Sequence, residues 1–118
     1  MIKFIPFFYL TIVFTNNALA NTEQVYKGIY TWGPEVHSFK PCDSTTDYWV
    51  SFDWAGIEMQ RYYKANKTNP YQAMYIEFRG QILNEKVDGF ANDYAGLIRI
   101  SEVNRYSFEL PSKCTITK

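Results

Sequence analysis

Residues 48–83 read "YWVSFDWAGIEMQRYYKANKTNPYQAMYIEFRGQIL", and how this stretch divides decides the fold. Its start alternates, with Tyr48, Val50 and Phe52 against Trp49, Ser51 and Asp53, as a half-buried strand does. From Ala55 to Lys67 the strict alternation stops. Ile57, Arg61 and Lys64 separate from Met59, Tyr62 and Tyr63 at helical intervals, and cations gather at the end, where the helix dipole favours them. Asp53 is placed to cap the first turn with its carboxylate, and Asn69-Pro70 stops the helix. Alternation then returns from Ala73: Met74, Ile76, Phe78, Gly80 and Ile82 face one way, Tyr75, Glu77, Arg79 and Gln81 the other. The stretch is strand, helix, strand.

Upstream, "VYKGIYTW" (25–32) has the β-branched and aromatic content of a strand, with Tyr26, Gly28, Tyr30 and Trp32 on one face. Gly28 in its interior predicts a bulge or tight bend. Gly33-Pro34 turns the chain into "EVHSF" (35–39), which Pro41 ends, so the two segments form a hairpin. Downstream, "NEKVDGFANDYAG" (84–96) is rich in turn residues, and "LIRISEV" (97–103) sets Ile98 and Ile100 against Leu97, Arg99 and Ser101 as a fifth strand. Three strands, a helix and two strands is the layout of the OB-fold, a small five-stranded barrel. The prediction is an all-β domain with one short helix between strands 3 and 4. A lipocalin-like or lysozyme-inhibitor-like barrel is the alternative.

The chain opens with "MIKFIPFFYLTIVFTNNALA": one cation at Lys3, an apolar run from Phe4 to Phe14, and Ala18-Leu19-Ala20 in the small-x-small pattern of a cleavage site. This reads as a secretory signal over 1–20, leaving 21–118 as one domain in the periplasm or medium. The run is short of the roughly 20 residues of a spanning helix. No membrane anchor is expected. Without Lys3, eleven Lys and Arg face twelve Asp and Glu, so the basic surplus that meets phosphates is missing and nucleic acid is not an expected partner. Cys42 and Cys114 both lie in the exported part, where thiols pair and stay paired. A structural disulfide is favoured over a redox or metal-binding pair, because no C-x-x-C spacing and no neighbouring His or Cys accompanies either.

"G-x-Y" at Gly28 and Tyr30, "F-x-P-C" at Phe39 to Cys42 and a strand around Tyr48 begin a further pattern. Tyr62-Tyr63 at the helix end, a strand closing on Gly80 and the late Cys114 complete it. In these features most of the chain resembles the C-terminal OB domain of NlpE-type envelope lipoproteins. The resemblance implies a disulfide between Cys42 and Cys114 and a place in envelope homeostasis. No cysteine follows Ala20 to accept a lipid, and the family's N-terminal barrel with its C-x-x-C motif has no counterpart.

His37 is the single histidine, and Ser38 points to the opposite strand face, so no nucleophile-base pair is apparent. Asp43, Asp47, Asp53, Glu58 and Glu77 are explained by solubility, capping and cross-strand pairing with Arg79 or Arg99. Asp88, Asn92 and Asp93 lack the spacing of a calcium loop, so no metal or cofactor is expected.

Aromatics make up 19% of the chain, more than one small core absorbs. Phe52, Ile76, Phe78 and Ile98 are predicted to fill the barrel. Tyr30, Trp32, Trp49, Trp54 and Tyr71 are left as candidate ligand contacts, and Tyr62 and Tyr63 either join them or pack the helix against the barrel. The expected function is a non-enzymatic binding or envelope-homeostasis module, its partner an envelope protein or a glycan. Two alternatives are an inhibitor that plugs an envelope hydrolase through "WGPEVH" or "KVDGFANDY", and a small hydrolase using paired carboxylates.

Overall fold

The strands and the helix follow the predicted order: β1 (Gln24–Gly33), β2 (Val36–Pro41), β3 (Tyr48–Phe52), α1 (Ile57–Asn66), β4 (Met74–Leu83) and β5 (Leu97–Ser107), then a 3₁₀ turn at Ser112–Cys114. The computed structural model describes residues 23–52, 54–83 and 93–114. The signal expected over 1–20, Asp53, Asp88 and Asn92, and most of the "KVDGFANDY" segment lie outside the described residues. The strands close into a barrel in the order β1-β2-β3-β5-β4. All neighbours are antiparallel except β3 and β5, which run parallel. This is an OB-like barrel with its helix between the third and fourth strands.

Inward rows meet as the alternation requires. Phe39, Met74, Ile76, Phe78 and Ile98 are fully buried, with Val50 and Ile100 nearly so, and Phe52 packs against them. Phe39 meets Phe78 edge-on at 4.8 Å between centroids, the arrangement ring quadrupoles favour. The helix adds Met59 and Tyr63. Burying each such side chain contributes roughly 1.5–3 kcal/mol.

Gly28 is not a bulge. The register of β1 with β4 runs through it unbroken and that with β2 begins at it without a shift, and the shifts fall on the β4–β5 pair at Glu77/Phe78 and Arg79/Gly80. What Gly28 supplies is room: a Cβ there would collide with the Lys40 carbonyl and the Phe39 ring. The bulges on the other side bend the sheet far enough to close it. The N-cap of α1 is Gly56, with no side-chain cap bond, in place of the expected Asp53. β5 runs on to Ser107, past the expected end at Val103, because Tyr75, Ile76 and Glu77 continue to pair with it. Glu77 accordingly faces Arg105, at 3.9 Å, and not Arg79 or Arg99.

A second, smaller cluster lies outside the barrel. Ile29 and Tyr75, on the outward faces of β1 and β4, are covered by the C-terminal segment through Leu110 and Cys114. That segment is held by the Cys42–Cys114 disulfide, with Cα atoms 4.5 Å apart, as the pairing of these two cysteines predicts. The bond spans 72 residues. Chain-entropy models give such a loop roughly 4 kcal/mol. Cys42→Ser and Cys114→Ser should each lower the Tm by roughly 10–20 °C in a scanning-calorimetry experiment. The double variant should lose no more than either single one, and a double variant as stable as the parent would show that the bond is not a staple.

Candidate binding site at one end of the barrel

The β1–β2 hairpin turns on two residues, Pro34 and Glu35. Proline fixes a negative φ, and Glu35 follows at φ 64°, the order of a type II turn, which glycine usually occupies. One other non-glycine residue among those described has a positive φ: Tyr71, at 55°. The two meet at the same place. The Tyr71 ring lies on Gly33, where a Cβ would collide with it, and its hydroxyl donates to the Pro34 carbonyl at 2.9 Å.

Tyr71 is aimed by the loop that carries it. The Gln72 side-chain oxygen accepts from the Thr68 amide at 2.6 Å and hydroxyl at 3.2 Å, and from the Asn69 amide at 3.4 Å, folding residues 68–72 into one tight turn. The Gln72 carbonyl in turn accepts from the Tyr63 hydroxyl at 2.6 Å, and that hydroxyl accepts from the Trp32 amide at 3.3 Å. The Trp32 ring packs 5.8 Å from that of Tyr63. Helix, first strand and loop are thereby locked together around a cleft of about 380 Å³ lined by Trp32, Gly33, Pro34, Lys64 and Lys67.

Between β1 and β2 lies a half-buried polar pair. His37 Nε2 is 2.8 Å from the Tyr30 hydroxyl, and the imidazole stands edge-on to the rings of Tyr30, Phe52 and Trp49. Burial pushes His37 down to about 4, against a bond to the Val50 backbone that favours the charged ring. Burial likewise pushes the Tyr30 hydroxyl well up, with a hydrogen-bonding contact from Gln60 opposing. At neutral pH both are uncharged, and the bond between them ties β1 to β2 within the core.

Tyr30 is thus a correction to the sequence reading: it is fully buried and offers no surface to a ligand. Tyr63 is buried as well, and Tyr62 lies against Tyr106 and Phe108, so these two pack the helix onto the barrel. The remaining candidates are dispersed. Trp32 lines the cleft, whereas Tyr71 lines a separate hollow of about 240 Å³ with Ile29, Thr31, Ser38 and Asp47. Trp49 pairs with Tyr94, at 5.4 Å, and Trp54, 85% exposed, borders a shallow depression with Arg99 and Ser101. A further hollow of about 420 Å³ opens beside the disulfide between Lys27, Asp43, Tyr75 and Lys113, and contains none of the expected contact aromatics. Burial, with the hydrogen bond to Glu77 and its charge, pushes Tyr75 up to about 12.

Sequence reasoning missed Lys64, Lys67 and Pro34 as partners of Trp32. The two lysines had a signal, three residues apart at one helix end, but their meeting with Trp32 depends on how α1 docks. Comparisons with protein families, with curated proteins and with solved structures find no match.

The His37 environment sets a pH dependence. The folded-state pKa of about 4 lies below the ordinary unfolded value of 6.5, so the unfolded chain takes up the proton first. Stability is complete above pH 6.5 and falls as pH drops from there towards 4, by roughly 3 kcal/mol from this group. Urea midpoints should fall between pH 7 and 4.5, and His37→Gln should flatten that part of the curve. An unchanged slope in the variant would mean that His37 is not held neutral.

Proposed function

We propose that this chain is an exported, non-enzymatic binding module of the envelope, of the NlpE C-terminal-domain type, whose contact surface is the barrel-end cleft. The observation that carries the reading is the cleft lined by Trp32, Gly33, Pro34, Lys64 and Lys67, bordered by a hairpin turn at which both positive-φ residues meet, Glu35 within it and Tyr71 bonded to its Pro34 carbonyl. Backbone strain of this kind costs on the order of 1–3 kcal/mol per residue and collects where ligands are held. Export is supported by the apolar leader in the sequence and by the disulfide, a bond that persists in oxidising compartments. The non-enzymatic reading is supported by the chain's single histidine being bonded to Tyr30 in the core, and by Glu77 being engaged by Tyr75 and Arg105.

A glycan is favoured over a protein as partner because the cleft is small, at the low end of the 300–1,000 Å³ of small-molecule sites. The test is titration of soluble envelope glycan fragments into the isotopically labelled mature chain, followed by amide NMR. Saturable shifts with recovery of the intact fragment are expected. Cleavage of a fragment would replace the reading with a hydrolase. Silence towards every fragment, together with inhibition of an envelope hydrolase, would replace it with an inhibitor.

A further inference from the structure

Within that binding reading, on which this inference rests, we infer that the cleft takes an acidic carbohydrate, its sugar face on Trp32 and its carboxylate between Lys64 and Lys67. The two lysines line the same cleft from the last turn and C-cap of α1. Neither is in an ion pair among the described residues, where the Arg105–Glu77 contact is the one pair found. The helix dipole accounts for cations at a helix end. It does not account for their sharing a cleft with a half-buried tryptophan and a proline. In a domain carrying eleven Lys and Arg against twelve Asp and Glu beyond Ala20, two lysines lining one cleft without an ion pair among the described residues are a local excess of positive charge.

The lining combines an indole and a proline with two lysines, and a carboxylated sugar has the matching halves: a face of C–H groups and an anion at its edge. An acidic peptide fits less well. A peptide adding to a strand needs unpaired backbone groups. Here the Trp32 amide is bonded to Tyr63 and the Pro34 carbonyl to Tyr71, and proline has no amide hydrogen. The turn that supplies Gly33 and Pro34 to the cleft is held by the Tyr71 hydroxyl, which leaves binding less ordering to do.

Trigalacturonate, its methyl ester and triglutamate are titrated separately into the labelled chain and into the Lys64→Gln/Lys67→Gln variant. Trigalacturonate should shift the Trp32 indole and Lys67 amide signals saturably. Binding should weaken about tenfold in the ester, in the double variant and on raising the salt to 0.5 M, with the Tm of the variant unchanged. Equal affinity for the ester would remove the role of the lysines. Shifts by triglutamate at the same residues, as tight or tighter, would assign the site to acidic peptides. Trigalacturonate shifts confined to the Trp49–Tyr94 face or to the hollow beside the disulfide would overturn this assignment and leave the binding module standing. No response to trigalacturonate, with neutral envelope fragments still binding, would do the same. Silence towards all glycans would sink both readings.

Discussion

The end of this barrel depends on one hydroxyl. β1 and β4 pair in a regular ladder as far as Tyr30 and Met74, after which the strands part. Continued by two residues, the same register would set Trp32 opposite Gln72. The Tyr63 hydroxyl stands in that position, accepting from the Trp32 amide and donating to the Gln72 carbonyl. A side chain from the helix thereby replaces a rung of the sheet. Both backbone groups would otherwise be unpaired in a partly buried place, a loss on the order of 1–3 kcal/mol each. The same ring fills the mouth of the barrel against Tyr30, Trp32 and Phe108. From this contact follow the docking of α1, the position of the 68–72 turn and hence of Tyr71, and the placing of Lys64 and Lys67 beside Trp32. The core and the cleft share one support.

On the outward faces of β1 and β4 the constraint is covalent. An antiparallel strand with one face in the barrel normally leaves its other face to water. Ile29 and Tyr75 break that pattern because the C-terminal segment lies across them. The disulfide anchors it at Cys42, whose amide also donates to the Lys27 carbonyl at 3.0 Å. A domain of this size leaves a large share of its surface exposed, and a cross-link compensates for the core it lacks. The staple therefore belongs to the architecture, and the proposed binding cleft is a separate feature, beside the contact made by Tyr63.

The barrel was legible wherever one strand face was uniformly apolar. Met74, Ile76, Phe78, Gly80 and Ile82 declared β4 and its inward side, and the break at Ala55 declared the helix. The sequence pattern of β5 ends at Val103 because Asn104 and Arg105 carry no pattern of burial; they stay in the strand through pairing with β4. The burial of Tyr30 escapes the sequence for a different reason. Its hydroxyl made it look like a surface residue, and its internal partner, His37, meets it only across a formed hairpin. The site was legible least. Trp32 and Tyr71 were both singled out, but what joins them is Gln72 gathering its own loop and a tyrosine hydroxyl spanning two backbones, neither of which leaves a periodic trace in the sequence.

The most direct test of the central claim is native-state hydrogen exchange at the Trp32 amide, compared between the parent and Tyr63→Phe. If the hydroxyl stands in for a rung, this amide is protected in the parent like those of the barrel core. In the variant it should exchange about tenfold faster or more, beyond any change at Phe78 and Ile98. A Trp32 amide that exchanges freely in the parent, or one indifferent to loss of the hydroxyl, would contradict the account.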